Sequence, residues 1–258
     1  MKVRLRLAAF GVLLVATGVP ANAADRIVQM QAAQVGPGID AFPQIVDPVD
    51  DAERRINAAL RRLDAQVRKA AKSCKAEGGA NSSWERGVRM AMHGPRFLSF
   101  EINDGTYCGG AHPNTGTTAI VYDLVTGTPV DWTTLLPPAL TGKVALATQA
   151  DETRMVTLSS KRLHALYLKA YRPETGKTKA NADDKACRDA VTETVSGEPP
   201  AMTVWPDAEA GGLAVQFDLA HVVQACADTV VIPTSTLRRE GVQTVLTDAI
   251  EAAQAKRP

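Results

Sequence analysis

From residue 47 to residue 79 the chain carries an apolar stripe that only a long helix can gather onto one face. Val49, Ala52, Ile56, Leu60, Leu63, Val67, Ala70 and Cys74 recur at helical spacing. Asp47 is placed to cap free N–H groups, Pro48 suits a first turn, and Asp50, Asp51 and Glu53 favour the positive end of the dipole. Gly78-Gly79 ends the pattern. A stripe of that length has to lie on something, and the next residues supply it. Trp84, Arg86, Val88, Met90 and Met92 alternate with more polar neighbours before Gly94-Pro95 turns the chain. Leu98, Phe100 and Ile102 alternate with Ser99, Glu101 and Asn103, and Ile120, Tyr122 and Leu124 resume the period of two. Thr126-Gly127 is a hairpin signal returning through Pro129 to Trp132. Connections this short exclude crossovers, so the strands form an antiparallel meander. The helix over 48–74 is expected to lay its stripe on that sheet.

The flanking segments complete the fold class. Residues 26–31 read as a short first strand, and Gly36-Pro37-Gly38 as a loop. Residues 141–148 and 159–171 are helix candidates, 177–184 a polar loop, and 185–194 a short helix holding Cys187. Residues 202–205 and 213–219 make a C-terminal hairpin, 228–233 a further strand, and 242–255 a last helix. The order predicts an α+β fold: an antiparallel meander packed by a long N-terminal helix, with further short helices and a C-terminal hairpin.

The first residues imply export. Lys2, Arg4 and Arg6 form a basic head, residues 7–19 are an apolar run of 13, and Ala21-Asn22-Ala23 is a small-residue cleavage signal. The run falls short of the about 20 apolar residues that a membrane span needs. Cleavage after Ala23 leaves residues 24–258 as one α+β domain, periplasmic or secreted, without a membrane span. No cysteine stands at the cut, so no lipid anchor is indicated. Three of the 29 basic residues leave with the leader, so the remaining 26 face 28 acids, a formal charge of −2. A nucleic-acid binder would show a basic excess, and none exists. Basic residues crowd the second half of the long helix. A solvated helix face explains them most simply, and an anionic partner such as wall polymer is the alternative.

Four cysteines, an even count in an exported chain, imply two disulfides among three connectivities. The favoured pairing is Cys74–Cys108 and Cys187–Cys226. Cys74 lies near the end of the long helix, and Cys108 at the mouth of a loop that a helix packed across the meander could reach. Cys187 and Cys226 both belong to the later half. Crossed pairings would need the two halves interleaved. No metalloprotease, nucleophile-elbow or phosphate-loop motif occurs, and the cysteines never form C-x-x-C. His93, His112, His164 and His221 lack ligand spacing. Neither metal nor cofactor is indicated.

One segment stands apart: Tyr107-Cys108-Gly109-Gly110-Ala111-His112-Pro113-Asn114-Thr115. Paired glycines imply an unusual backbone path, and Pro113 restricts the chain where it leaves the loop. Gly109 or Gly110 is expected at positive φ, with Gly110→Val costing roughly 1–3 kcal/mol. His112 is expected to be mostly buried, its ring nitrogens satisfied by loop backbone. The segment, followed by an alternating strand, Asp123-Leu124, Thr126-Gly127 and Leu135-Leu136, resembles the extracytoplasmic domain of RsiV-type anti-sigma factors. The same domain is found in PdaC-type peptidoglycan deacetylases. Phe42-Pro43-Gln44-Ile45 with Ile56-Asn57 resembles that family's opening, and Phe217-Asp218-Leu219 with Val231-Ile232-Pro233 its closing strands.

The resemblance implies an exported, non-catalytic binding module of the cell envelope, with a lysozyme-like muramidase or peptidoglycan as partner. The sigma-binding segment and span of the first group, and the deacetylase domain of the second, find no counterpart in this sequence. Gly109, Gly110, His112, Pro113 and Asn114 are then the candidate site residues. The alternative is an envelope-polymer hydrolase, with His112 as general base beside Asp104 or Asp123. A third reading is a module that touches only protein neighbours.

Overall fold

A computed structural model describes residues 26–172, 182–192, 197–217, 219 and 221–256. The expected leader over 1–23 lies outside the described residues, as does most of the expected loop over 177–184.

The N-terminal half builds one sheet around the long helix. Its strands are β1 (Met30–Gly36), β2 (Ile39–Ile45), β3 (Ser83–His93), β4 (Phe97–Tyr107), β5 (Asn114–Asp123) and the short β6 (Thr128–Pro129), in spatial order β1 to β6. Neighbours are antiparallel except β2 and β3, which meet in parallel at Ile39 and Arg86. Parallel neighbours need a long crossover, and α1 (Asp51–Gly78) is that crossover. Strand β2 was not expected. Its Asp-x-Phe-Pro stretch carries no clean alternation; it pairs with β1 from Met30 opposite Ile45 to Gly36 opposite Ile39, and the helix adds side-chain bonds to its backbone. Asn57 accepts from Ile45 N at 2.8 Å and returns a bond to Ile45 O at 2.9 Å. Asp64 accepts from Phe42 N at 2.9 Å.

The expected stripe does lie on the meander. Ile56 and Leu60 are fully buried and share a core with Phe42, Leu98, Phe100, Ile102 and Tyr122, and Val67 is fully buried farther along the helix. The start of the helix differs by a turn. Asp50, not Asp47, accepts from Glu53 N at 2.9 Å, and Val49 is exposed because it precedes the first turn. Glu53 is wholly buried and held by Arg26 at 2.7 Å.

The later half builds a second antiparallel sheet: β7 (Lys143–Thr148), β8 (Arg154–Ser159), β9 (Met202–Asp207), β10 (Gly212–Phe217) and β11 (Val230–Pro233), in the order β11-β10-β9-β8-β7. Two short helices, α2 (Trp132–Leu135) and α3 (Pro138–Thr141), lead into it. Helices α4 (Lys161–Ala170), α5 (Ala182–Thr192), α6 (Thr234–Arg239) and α7 (Thr244–Ala255) complete it. The helix expected over 141–148 is replaced by β7. Gly142 takes a φ of 54°, and a Cβ there would sit 2.1 Å from Ser159 O, so the chain breaks and pairs with β8. Propensity gave way to tertiary pairing.

The central strands β9 and β10 are buried along their whole length. Their residues Val204, Trp205 and Leu213 share one apolar core with Phe97 and Val121 of the first sheet and Tyr167, Leu246 and Ile250 of the helices. The disulfides are Cys74–Cys108 and Cys187–Cys226, as favoured from the sequence. No described helix is long and apolar enough to cross a membrane.

Candidate functional site

Strands β4 and β5 run on together to Thr106 and Asn114, and residues 108–113 cap the hairpin. The root of this loop is fixed three ways. Cys108 is bonded to Cys74 near the end of α1. Gly109 takes a φ of 88°, and a Cβ on it would lie 2.9 Å from Gly78 Cα. A Cβ on Gly78 would in turn lie 2.6 Å from Cys108 C. Loop and helix end therefore cross backbone on backbone, which only glycine permits. Gly110 carries neither constraint: its φ is not in the left-handed region, and a Cβ there meets nothing within 4 Å. The strained position is Gly109, so the cost expected for Gly110→Val belongs to its neighbour.

Beyond the root the loop is open. Gly109, Gly110, Ala111, His112, Pro113 and Asn114 are all exposed. This corrects the expectation that His112 is buried: the loop lies beyond the last paired residues of the hairpin, Thr106 and Asn114. Of the other histidines, His164 is buried with Nε2 2.7 Å from Val191 O, and His93 sets Nδ1 2.9 Å from Val28 O. Among the described residues no cluster of His, Cys, Asp and Glu has the arrangement of a metal site.

The carboxylates named for a hydrolase are engaged elsewhere. Asp123 ends β5, nine residues from Asn114, about 30 Å away at ~3.3 Å per residue, and accepts from Arg96 at 2.7 Å. Asp104 accepts from Arg86 Nε at 2.7 Å and Nη2 at 2.8 Å, and from Trp84 Nε1 at 3.3 Å.

Arg86 is the centre of a second feature that the sequence did not signal. It is 6 % exposed and also donates to Asp151 Oδ2 at 2.9 Å, on the turn between β7 and β8. Burial alone would lower the guanidinium pKa. The Asp104 and Asp151 carboxylates outweigh it and hold the group above its ordinary value. Burial pushes the nearby Asp64 carboxyl up, although the Phe42 N–H and the charges of Arg86 and Arg68 oppose it. Asp104 and Asp151 lie 18 and 65 residues from Arg86, so no local motif could have linked them.

Beside this cluster opens a polar cleft of about 570 Å³. Its floor is the face of β3–β5 turned towards β9, as Arg89 on the same face shows by reaching Asp207 at 2.6 Å. Gly87 stands opposite Asn103, and Glu85 opposite Gly105. A Cβ on either glycine would meet nothing within 4 Å, so backbone lies open to the cleft. Thr117 donates to Asn103 at 2.6 Å and Asn103 to Glu101 at 3.0 Å, which fixes the polar groups in place. Glycine inside a strand weakens it and often marks a close approach by a ligand or another backbone. The interruptions at Gly87 and Gly105 were the available signal. A smaller space of about 450 Å³ lies by the Cys74–Cys108 disulfide, between Trp84 and Glu152.

No model of a protein family matches this chain, and no curated protein matches it. Among solved structures the chain is similar to the crystal structure of a member of the DUF3298 family from Bacteroides fragilis. That likeness has 15% identity and a TM-score of 0.45, and covers 83% of this chain and 91% of that one.

Proposed function

We propose that the chain is an exported, non-catalytic binding module of the cell envelope that recognises a lysozyme-like muramidase through the loop over 108–114. The observation that carries the reading is an exposed loop on a fixed root. A segment whose ends are already held by a disulfide and a glycine crossing has less freedom left to lose on binding. The resemblance of Gly109-Gly110-Ala111-His112-Pro113-Asn114 to the RsiV-type domain points the same way. Two disulfides and the lack of a membrane-crossing helix among the described residues are consistent with an extracytoplasmic location. The glycine-floored cleft favours a second reading, in which peptidoglycan glycan lies across Asn103 and Thr117.

The test is equilibrium binding of the purified protein to egg-white lysozyme and, separately, to soluble muropeptides. Saturable lysozyme binding, weakened at least about tenfold in a folded His112→Ala/Asn114→Ala variant, is the expected result. Binding to muropeptides alone moves the function to the cleft. Turnover of wall polymer that disappears in His112→Ala replaces the binding reading with the hydrolase one.

A further inference from the structure

The outward face of α1 carries a pattern that the loop reading leaves unused. Cations recur in pairs at seven-residue spacing, Arg54-Arg55, Arg61-Arg62 and Arg68-Lys69, and Lys72 and Lys75 continue the row. Seven residues are close to two helical turns, so the pairs repeat about every 10 Å along one face for about 32 Å. All eight side chains are exposed, and they lie opposite the buried stripe of Ile56, Leu60 and Val67. Eight of the chain's 29 basic residues are thus gathered on one helix of a protein with a near-neutral total.

Little within the fold neutralises them. Arg54 pairs with Asp51 at 2.7 Å. Arg55 donates to Thr126 O and Arg61 to Gln44 Oε1, neither of which carries charge. Among the described residues no carboxylate lies within ion-pair distance of the other cations. The residues between them are small or polar: Ala65 and Gln66, then Ser73. The apolar face of α1 is already covered by the sheet, so this helix has nothing to insert into hydrocarbon. What it offers is a cationic ridge, and the hollows beside it, about 390 Å³ by Arg68, Lys72 and Lys75 and about 480 Å³ by Arg62, each meet only part of the row. A plane of negative charge touches such a ridge along its full length.

We propose that the exposed face of α1 docks the protein on a bilayer that carries anionic phospholipid. The contact is electrostatic, at headgroup level, and depends on salt because the charges stay solvated. It leaves the loop over 108–114 free, and does not rest on the loop's having any partner.

Co-sedimentation of the purified protein with vesicles tests this directly. One set is pure phosphatidylcholine, the other contains about 30% phosphatidylglycerol. Binding is expected only to the second, and should be lost between about 0.05 M and about 0.5 M salt. Each cation at the surface contributes about fivefold to partition. The variant Arg61→Gln/Arg62→Gln/Lys69→Gln/Lys72→Gln should therefore bind more than about a hundredfold more weakly, while its circular dichroism and melting stay those of the wild type. A control that removes four exposed cations elsewhere, Lys143→Gln/Arg154→Gln/Lys161→Gln/Arg239→Gln, should keep its binding. The proposal is overturned by equal binding to both vesicle sets or to neither. It is overturned equally if the control loses as much as the helix variant, or if a soluble polyphosphate binds while anionic vesicles do not. Lysozyme binding measured on the same helix variant reports on the loop alone, so failure of one reading leaves the other standing.

Discussion

At Gly109 a φ of 88° combines with the 2.9 Å clearance to Gly78 Cα, so a side chain there meets both backbone strain and a collision. A β-branched residue is the worst occupant of the left-handed region. Gly109→Val should destabilise the protein by roughly 1–3 kcal/mol. Gly110→Val should stay within about 0.5 kcal/mol of wild type. Urea denaturation of the two variants separates these outcomes, and equal midpoints would remove the structural role of Gly109. Asp64 gives a pH-dependent case. Burial raises its carboxyl above 3.8, so the folded state binds more protons than the unfolded one between 3.8 and that raised value. The stability it contributes is present at low pH and falls as pH rises through this window. Asparagine keeps an acceptor for Phe42 N and cannot ionise. The stability of Asp64→Asn relative to wild type should therefore increase between about pH 3.5 and about pH 7. A relative decrease over that interval would show that Arg86 and Arg68 outweigh burial.

At the scale of elements, what could be read from the sequence is what repeats locally. The stripe of α1 and the alternation of β3, β4 and β5 each span two or more periods, and each forms as expected. Helix α4 and the β9–β10 hairpin were legible on the same ground, as was the disulfide pairing, which rested on placing Cys74 beside the mouth of the hairpin loop. Elements held from outside were not legible. Strand β2 pairs with the irregular β1 and takes further bonds from Asn57 and Asp64, 12 and 22 residues away. Strand β7 has its first four residues exposed and exists because β8 pairs with it. Its Lys-Val-Ala-Leu-Ala-Thr stretch suits a helix as well as a strand. The site divides in the same way. The paired glycines announced an unusual backbone path at the loop, but not the exposure of His112. Arg86 and Asp151 come together only once both sheets are in place, and a single sequence holds no trace of that distance. The cationic ridge shows the opposite case: its spacing is plain in the sequence, and exposure along a helix whose other face is covered is what gives the spacing a consequence.

For the whole molecule, the crosslinks and the core divide the chain differently. Cys74–Cys108 lies within the first sheet and its helix, and Cys187–Cys226 within the second sheet's half, so neither bond ties one half to the other. The tie is non-covalent. Phe97 and Val121 share a core with Val204 and Trp205, Arg86 reaches Asp151, and Arg89 reaches Asp207. A backbone bond crosses as well, from Ala208 N to Ala91 O at 3.0 Å. A half separated from this arrangement would expose apolar surface and leave buried charges without partners, at several kcal/mol per ion. The halves should accordingly melt as one unit, with calorimetric and van't Hoff enthalpies that agree. Trp205 is fully buried at the junction, and Trp205→Ala should cost about 3–5 kcal/mol. Because the loss is shared, it should lower the single midpoint without splitting the transition. Two resolved transitions, with only the later half shifted by Trp205→Ala, would show two units folding independently across a surface that merely touches.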